Sequence, residues 1–166
     1  MPYRIDIYTD GGCRGNGRPW AIGAAAYAVK NKWGRYRGGT RCLPRNSNPR
    51  PSSQRAEITG IILALEHVLE KWESLDDEKP DLDVTIYTDS KYAVGCMTDW
   101  IWTWANNGWV NSRGWEVANR DLIEEASALD DRVRELGDIE YVWIPREENE
   151  VADGWCDEAL DRMEDD

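Results

Sequence analysis

Four carboxylates in this chain stand where they could act together. Asp10 follows the alternating stretch IDIYT and precedes two glycines, and Asp89 follows VTIYT and precedes SKYAV. Glu57 falls in the first turn of an expected helix, and Asp153 lies in the final one, within NEVADGWCDEAL. Each has an ordinary explanation as well. Asp-Gly is turn chemistry, an Asp ahead of SKYAV can cap a helix, and an acid in a first turn complements the helix dipole. Helix geometry weakens that explanation for Glu57. At about 100° per residue it shares a side with Ile61, Ala64, Leu65 and Val68, so it borders the core. A carboxylate there is costly unless it is paired, protonated or bound to a cation. Four carboxylates with no His or Cys beside them suit a hard cation, Mg²⁺ or Mn²⁺, better than zinc. Two such ions roughly 4 Å apart could activate a water and stabilise the leaving oxygen in phosphodiester cleavage.

The elements that must position these groups follow from periodicity. Residues 3–9, 20–29 and about 33–42 read as three strands of an antiparallel meander, the first stopping at Asp10 and running into a glycine-rich turn. After the Pro/Ser/Asn-rich loop 43–53, QRAEITGIILALEHVLEKW places Ile58, Ile61, Ile62, Leu65, Leu69 and Trp72 at helical spacing. A strand at 83–88, a helix from Ser90, a Trp-rich segment at 100–115, a helix near 116–136, a strand at 138–144 and a last helix from about Asn149 complete the chain. The order βββαβαααβα predicts an α/β fold, a five-stranded mixed sheet flanked by helices, in one domain over residues 1–166. If the strands bearing Asp10 and Asp89 are parallel neighbours, both acids emerge at one sheet edge, where open α/β sheets place their sites.

Composition narrows the partners. The 166 residues carry 20 basic and 32 acidic side chains, a net charge of -12, which argues against bulk attraction to a polyanion. Any nucleic acid must be held by local features. Much of the acid lies in ESLDDEKPDLD (73–83) and the tail DEALDRMEDD (157–166), which read as solvated surface, and such acidity keeps a protein soluble in strong salt. Cys13, Cys42, Cys96 and Cys156 lack metal-site or redox spacing and are expected as free thiols. No apolar run approaches the roughly 20 residues of a membrane span, and MPYRIDIY is no export leader. An intracellular monomer, cytoplasmic or nuclear and without a membrane partner, is the expectation.

The pieces YTDGGCRGNG, SSQRAEI, YTDSKYAV, DWIWTWANNGW, EVAN and NEVAD, in that order, resemble the type 1 ribonuclease H family over nearly the whole chain. The resemblance implies an RNase H-like fold and hydrolysis of the RNA strand of an RNA/DNA hybrid, leaving 3′-hydroxyl and 5′-phosphate ends. It implies two Mg²⁺ ions, with Mn²⁺ as an alternative, held by Asp10, Glu57, Asp89 and Asp153. Asp157, one turn beyond Asp153, is a rival for the last position, although Asn149 to Asp153 keeps the family spacing. By the same resemblance Cys13 and Asn16 approach the hybrid's minor groove from one side and Ser53 and Gln54 from the other, with Ser53 standing where the family usually has Asn. Arg50, Ser52 and Asn119 match its phosphate pocket, and Tyr92, Trp100 and Trp104 its DNA-binding channel. Reading 2′-hydroxyls across a wide, shallow groove distinguishes RNA without reading sequence.

Two departures from the family pattern stand out. The Trp-bearing protrusion, WANNGWVNSRGW, has Asn and Ala where lysines often stand, which predicts weaker, salt-sensitive binding that leans on Trp contacts. The segment before the last helix, IPREENEVAD, is short and lacks the family's loop His; Glu147 or Glu148 are candidates for its place. The only histidine, His67, falls opposite the apolar face of its helix and is expected to be solvated. Trp109 and Trp115 divide evenly between core and interface. A hybrid-recognising domain with little activity, a nuclease of the same fold acting on DNA, and a plain acidic interaction domain remain the alternatives to an active enzyme.

Overall fold

In the computed structural model, which describes residues 2–76 and 79–165, the N-terminal third is a meander of β1 (Tyr3–Arg14), β2 (Ile22–Lys30) and β3 (Tyr36–Cys42). Asp77 and Glu78 of the acidic run, together with Met1 and Asp166, lie outside the described residues. Helix α1 (Ser53–Ser74) returns the chain to β4 (Leu82–Thr88), which lies parallel to β1, and β5 (Gly137–Trp143) adds in parallel beyond it. The sheet order is β3-β2-β1-β4-β5, mixed as the element order predicts.

Alternation assigns the faces. Ile5, Ile7 and Thr9 of β1 are buried towards α1, which meets them with Ile58, Ile61, Ile62, Leu65 and Val68. Helix α4 (Arg120–Arg134) adds Ile123, Ala126 and Val133 to this core. Each large aliphatic side chain buried there stabilises the fold by about 1.5–3 kcal/mol. On the opposite face α5 (Glu150–Glu164) packs Cys156, Ala159, Leu160 and Met163 against Ile22, Ala24 and Ala26. The small residues of β2 let that helix lie close.

The turn predicted directly after Asp10 is not there. Strand β1 continues through Gly11 and Gly12, paired with Ala25 and Ala24, and the chain turns only at Gly15 and Gly17, whose φ values are 70° and 86°. The glycine at position 11 answers to helix packing instead. A Cβ on Gly11 would lie 2.2 Å from the Ala56 carbonyl carbon, so its absence is what lets the first turn of α1 approach the strand that carries Asp10.

Other boundaries shift for local reasons. The helix after Ser90 is α2 (Lys91–Gly95), followed by a π-helical turn (Cys96–Trp100) and α3 (Ile101–Asn107). The helix expected near 116–136 starts only at Arg120, because Glu116 bridges to Val110 and Asn119 takes a left-handed conformation, φ 64°. His67 is half-buried rather than solvated. Its ring lies 5.1 Å from that of Tyr27, and burial lowers its pKa. Trp115 is 67% exposed and Trp109 packs against the core, so the two divide between the alternatives. All four cysteines are free, and no helix among the described residues is long and apolar enough to cross a membrane.

Candidate active site

The parallel register pairs Thr9 with Thr88, so the next residues, Asp10 and Asp89, emerge side by side where β4 ends and its pairing with β1 stops. Asp10 is buried and Asp89 half-buried. Ser90 ties in the third acid: its hydroxyl accepts from the Ala93 N–H at 3.0 Å, capping α2, and donates to Glu57 Oε2 at 2.9 Å. Helix α5 is stitched to the same place by Asn149, whose side-chain amide donates to the Thr9 carbonyl at 2.9 Å and whose own carbonyl accepts from the Asp153 N–H at 3.0 Å. Asp153 receives a hydrogen bond from Arg146 Nη2 at 3.2 Å. Its rival Asp157 is exposed and lies 3.9 Å from Arg14 instead.

Crowding of negative charge shows in the titration of these groups. Burial, then the Asp89 and Asp153 carboxylates, push Asp10 up to about 8. Burial also raises Asp89, opposed by the Arg146 guanidinium, and raises Glu57, opposed by the Ser90 hydrogen bond.

As they stand the acids meet in part only: among the described residues no three His, Cys, Asp or Glu side chains converge on one point. Glu57 is turned to Ser90, and Asp153 to Arg146. The donor set is nonetheless all carboxylate oxygen, the ligand chemistry of Mg²⁺ or Mn²⁺. Release of two hydrogen bonds would free Glu57 and Asp153 for an ion beside Asp10 and Asp89.

Around this cluster the expected substrate-contacting residues fall into two groups that the structure connects and several that it leaves separate. Tyr92, Trp100 and Trp104 form a continuous aromatic row with centroid spacings of 6.2 and 5.9 Å, extended by Trp109 another 6.2 Å on. Asn119 joins this row to α1, donating to Tyr92 Oη at 3.0 Å and to Gln54 Oε1 at 3.3 Å. Ser52 caps α1 by accepting from the Arg55 N–H at 3.1 Å, which leaves its own proton free to donate. Ser53 is half-buried beside it, Arg50 is exposed, and Cys13 and Asn16 lie at the end of β1 and in the turn beyond. None of these last four hydrogen-bonds through its side chain to another member of the set among the described residues.

Sequence reasoning missed several supporting residues. Arg146 sits on Asp153 and so places a cation beside the acids, adjacent to the two glutamates singled out in place of the loop His. Arg55 grips Asp121 through both terminal nitrogens, at 2.9 and 2.8 Å, and reaches Asn119 Oδ1 at 3.5 Å. Trp143 donates from Nε1 to the Asp89 carbonyl at 3.1 Å. A signal for Arg55 was present, since it stands one turn before a core-facing stretch and follows the cap Ser52 by three residues. Nothing local marks Trp143, whose role depends on β5 lying beside β4.

The chain and its fold are similar to known proteins. The family model for RNase H matches residues 2–161. A ribonuclease H from Pelobacter propionicus is 32% identical over 163 residues, covering 96% of this chain and 86% of its own. Among solved structures, RNase H1 from the halophilic archaeon Halobacterium salinarum superposes with a TM-score of 0.66 at 22% identity, covering 96% of this chain and 99% of that one. The foamy viral protease-reverse transcriptase in complex with an RNA/DNA hybrid does so at 0.67 and 18% identity, over 94% of this chain and 20% of that one. At such identities the structures speak for the fold alone, whereas the family model and the bacterial relative speak for descent. The chain belongs to the RNase H family of ribonucleases.

Proposed function

We propose that residues 1–166 form one ribonuclease H catalytic unit that hydrolyses the RNA strand of an RNA/DNA hybrid, using two divalent ions and leaving 3′-hydroxyl and 5′-phosphate ends. The observation that carries the reading is the placement of Asp10. It is a buried acid, pushed up to about 8 beside Asp89 and Asp153, where the parallel pairing of β1 with β4 stops. Loss of its proton to a bound cation would relieve that cost.

In this reading Asp10, Glu57, Asp89 and Asp153 would hold the ions, Asp10 contributing to both, Asp153 helping on the side of the attacking water and Glu57 and Asp89 on the side of the leaving oxygen. Bound there, Mg²⁺ or Mn²⁺ lowers the pKa of a water and offsets charge on the scissile phosphate. The chain supplies the rest. Ser90 orients Glu57, Asn149 fixes the start of α5 against β1, and Arg146 places a permanent positive charge beside the acids. Cys13, Asn16, Ser53 and Gln54 would contact the minor groove, where 2′-hydroxyls mark the RNA strand. Arg50, Ser52 and Asn119 would receive a DNA phosphate, and Tyr92, Trp100 and Trp104 the DNA sugars and bases. The foamy viral protein of like fold, captured with an RNA/DNA hybrid, supports the choice of partner. The reading takes the protein as an intracellular monomer that works without a membrane.

The test uses an RNA/DNA hybrid labelled on each strand in turn, beside RNA/RNA and DNA/DNA duplexes of the same sequence, with and without Mg²⁺. Cleavage of the hybrid's RNA strand alone, only with Mg²⁺ and with phosphate at the 5′ side of each cut, is the expected result. Cutting of DNA/DNA at a similar rate, or tight hybrid binding with no cutting, would overturn it.

A further inference from the structure

Positive charge is concentrated in one part of this acidic chain. Between Gly11 and Ala56 there are ten basic residues and no acidic one, leaving ten basic against 32 acidic elsewhere. That stretch builds β2, β3 and their flanking loops, hence one edge of the sheet. One end of it belongs to the site described above, through Cys13, Asn16 and Arg50. The other end does not. The turn joining β2 to β3 starts after Lys30, seven residues beyond Gly23, the partner of Cys13, or about 24 Å along the strand.

At that turn Asn31 Oδ1 accepts the N–H groups of Trp33 and Arg35, at 2.9 and 3.0 Å, and fixes a short loop that holds the Trp33 side chain out. Trp33 is 74% exposed, with Lys32 Nζ 4.6 Å from its ring centre. The loop walls an open cleft of about 890 Å³ whose other lining includes Tyr8, Tyr87, Lys30, Arg37 and Lys71. Tyr8 stacks on Tyr87 with centroids 4.7 Å apart and meets Tyr36 edge-on at 6.0 Å, and Lys30 Nζ lies 6.0 Å from the Tyr36 ring. Among the described residues Lys30, Lys32, Arg35, Arg37 and Lys71 have no carboxylate partner. Arg4 beside them is engaged by Asp6 and Asp83.

Unpaired cations interleaved with accessible rings bind single strands, because the cations hold phosphates while the rings offer faces to unstacked bases. A duplex hides its bases from such rings. We infer that this cleft binds a single-stranded nucleic-acid flank of the hybrid, an inference that rests on the proposed function. At 3.4 Å per stacked nucleotide, about seven nucleotides span the 24 Å between the two ends of β2. A flank of ten reaches the cleft.

The experiment compares by fluorescence anisotropy, in EDTA so that nothing is cut, a blunt hybrid, the same hybrid with ten extra thymidines at the 5′ or the 3′ end of its DNA strand, and a free ten-thymidine strand. The protein is the full chain and its triple variant Lys32→Gln, Trp33→Ser, Arg37→Gln, all exposed positions, with its fold checked by circular dichroism. A flank at one end at least should tighten binding by about five- to tenfold in the wild type. The variant should lose that gain while binding and cutting the blunt hybrid as before, and its salt slope for the flanked hybrid should fall by about two. No gain from either flank, a gain that survives in the variant, or equal weakening of blunt and flanked hybrids would each overturn the inference. Polyglutamate competing as well as the free strand would also overturn it, assigning the cleft to an acidic protein segment. Failure of the wild type to cut the blunt hybrid with Mg²⁺ is a separate result and strikes the proposed function alone.

Discussion

Replacing Asp10 by Asn should make the metal-free protein more stable, and increasingly so as pH rises. Folded, Asp10 titrates at about 8 against an ordinary 3.8, so between those values the native state binds more protons than the unfolded chain and stability falls with rising pH. The cost is absent below the unfolded pKa and complete above the folded one. At 1.36 kcal/mol per unit, the shift corresponds to about 5–6 kcal/mol at full ionisation, of which about 4 kcal/mol develops between roughly pH 5 and pH 9. Asn has the same shape and does not ionise. Urea unfolding of both proteins in EDTA, at a series of pH values across that window, reads the difference, because groups away from the cluster, His67 included, are common to both, and Asp89 contributes through the same crowding of charge. The stability gap in favour of Asp10→Asn should widen by about 4 kcal/mol from the acid to the alkaline end. Parallel pH profiles, or a variant less stable at high pH, would refute the assignment of this acid as the strained centre of the cluster. Repeating the alkaline point with excess Mg²⁺ should narrow the gap without closing it. A ligand at 100 times its dissociation constant adds about 2.7 kcal/mol to the protein that binds it, and only the wild type should gain this.

Gly11→Ala should destabilise the protein by about 3 kcal/mol or more, read as a fall in urea midpoint, because its Cβ meets the backbone of Ala56 rather than a movable side chain; an unchanged midpoint would show that α1 can retreat freely. Arg146→Gln should tighten Mg²⁺ binding a few-fold in calorimetry, since the guanidinium no longer occupies an oxygen of Asp153; weaker binding would contradict the placement of that pair. Trp104→Ala should weaken hybrid binding by about 1–3 kcal/mol, judged by anisotropy in EDTA, because the ring is the middle of the row running from Trp100 to Trp109; unchanged affinity would return these rings to a packing role.

The features of the fold and site that are legible in the sequence are those governed by periodicity. Ile58, Ile61, Ile62 and Leu65 recur at helical spacing and form the core face of α1, and the two stretches IDIYTD and VTIYTD read as twin strands and proved to be parallel neighbours in register. The hidden parts depend on approach between distant segments. Gly11 reads as a turn residue because glycine is a weak strand former, yet its lack of a side chain answers to the helix backbone that arrives 45 residues later. Asn119 looked like the interior of a helix. Its backbone is left-handed instead, and its side chain bonds Tyr92 and Gln54, contacts that periodicity does not register. Similarly, His67 has polar neighbours in sequence, and only the pairing of β2 with β1 brings Tyr27 over its ring.

The most direct test of the central claim is the initial rate of RNA-strand cleavage in a blunt hybrid, in saturating Mg²⁺, for the wild type and for Asp10→Asn, Glu57→Gln, Asp89→Asn and Asp153→Asn. Four acids that hold the ions together should each cost at least about 10²-fold when neutralised, with Asp10→Asn the most damaging. Full activity in Asp10→Asn, with its fold intact, would contradict the claim that these carboxylates form the catalytic centre.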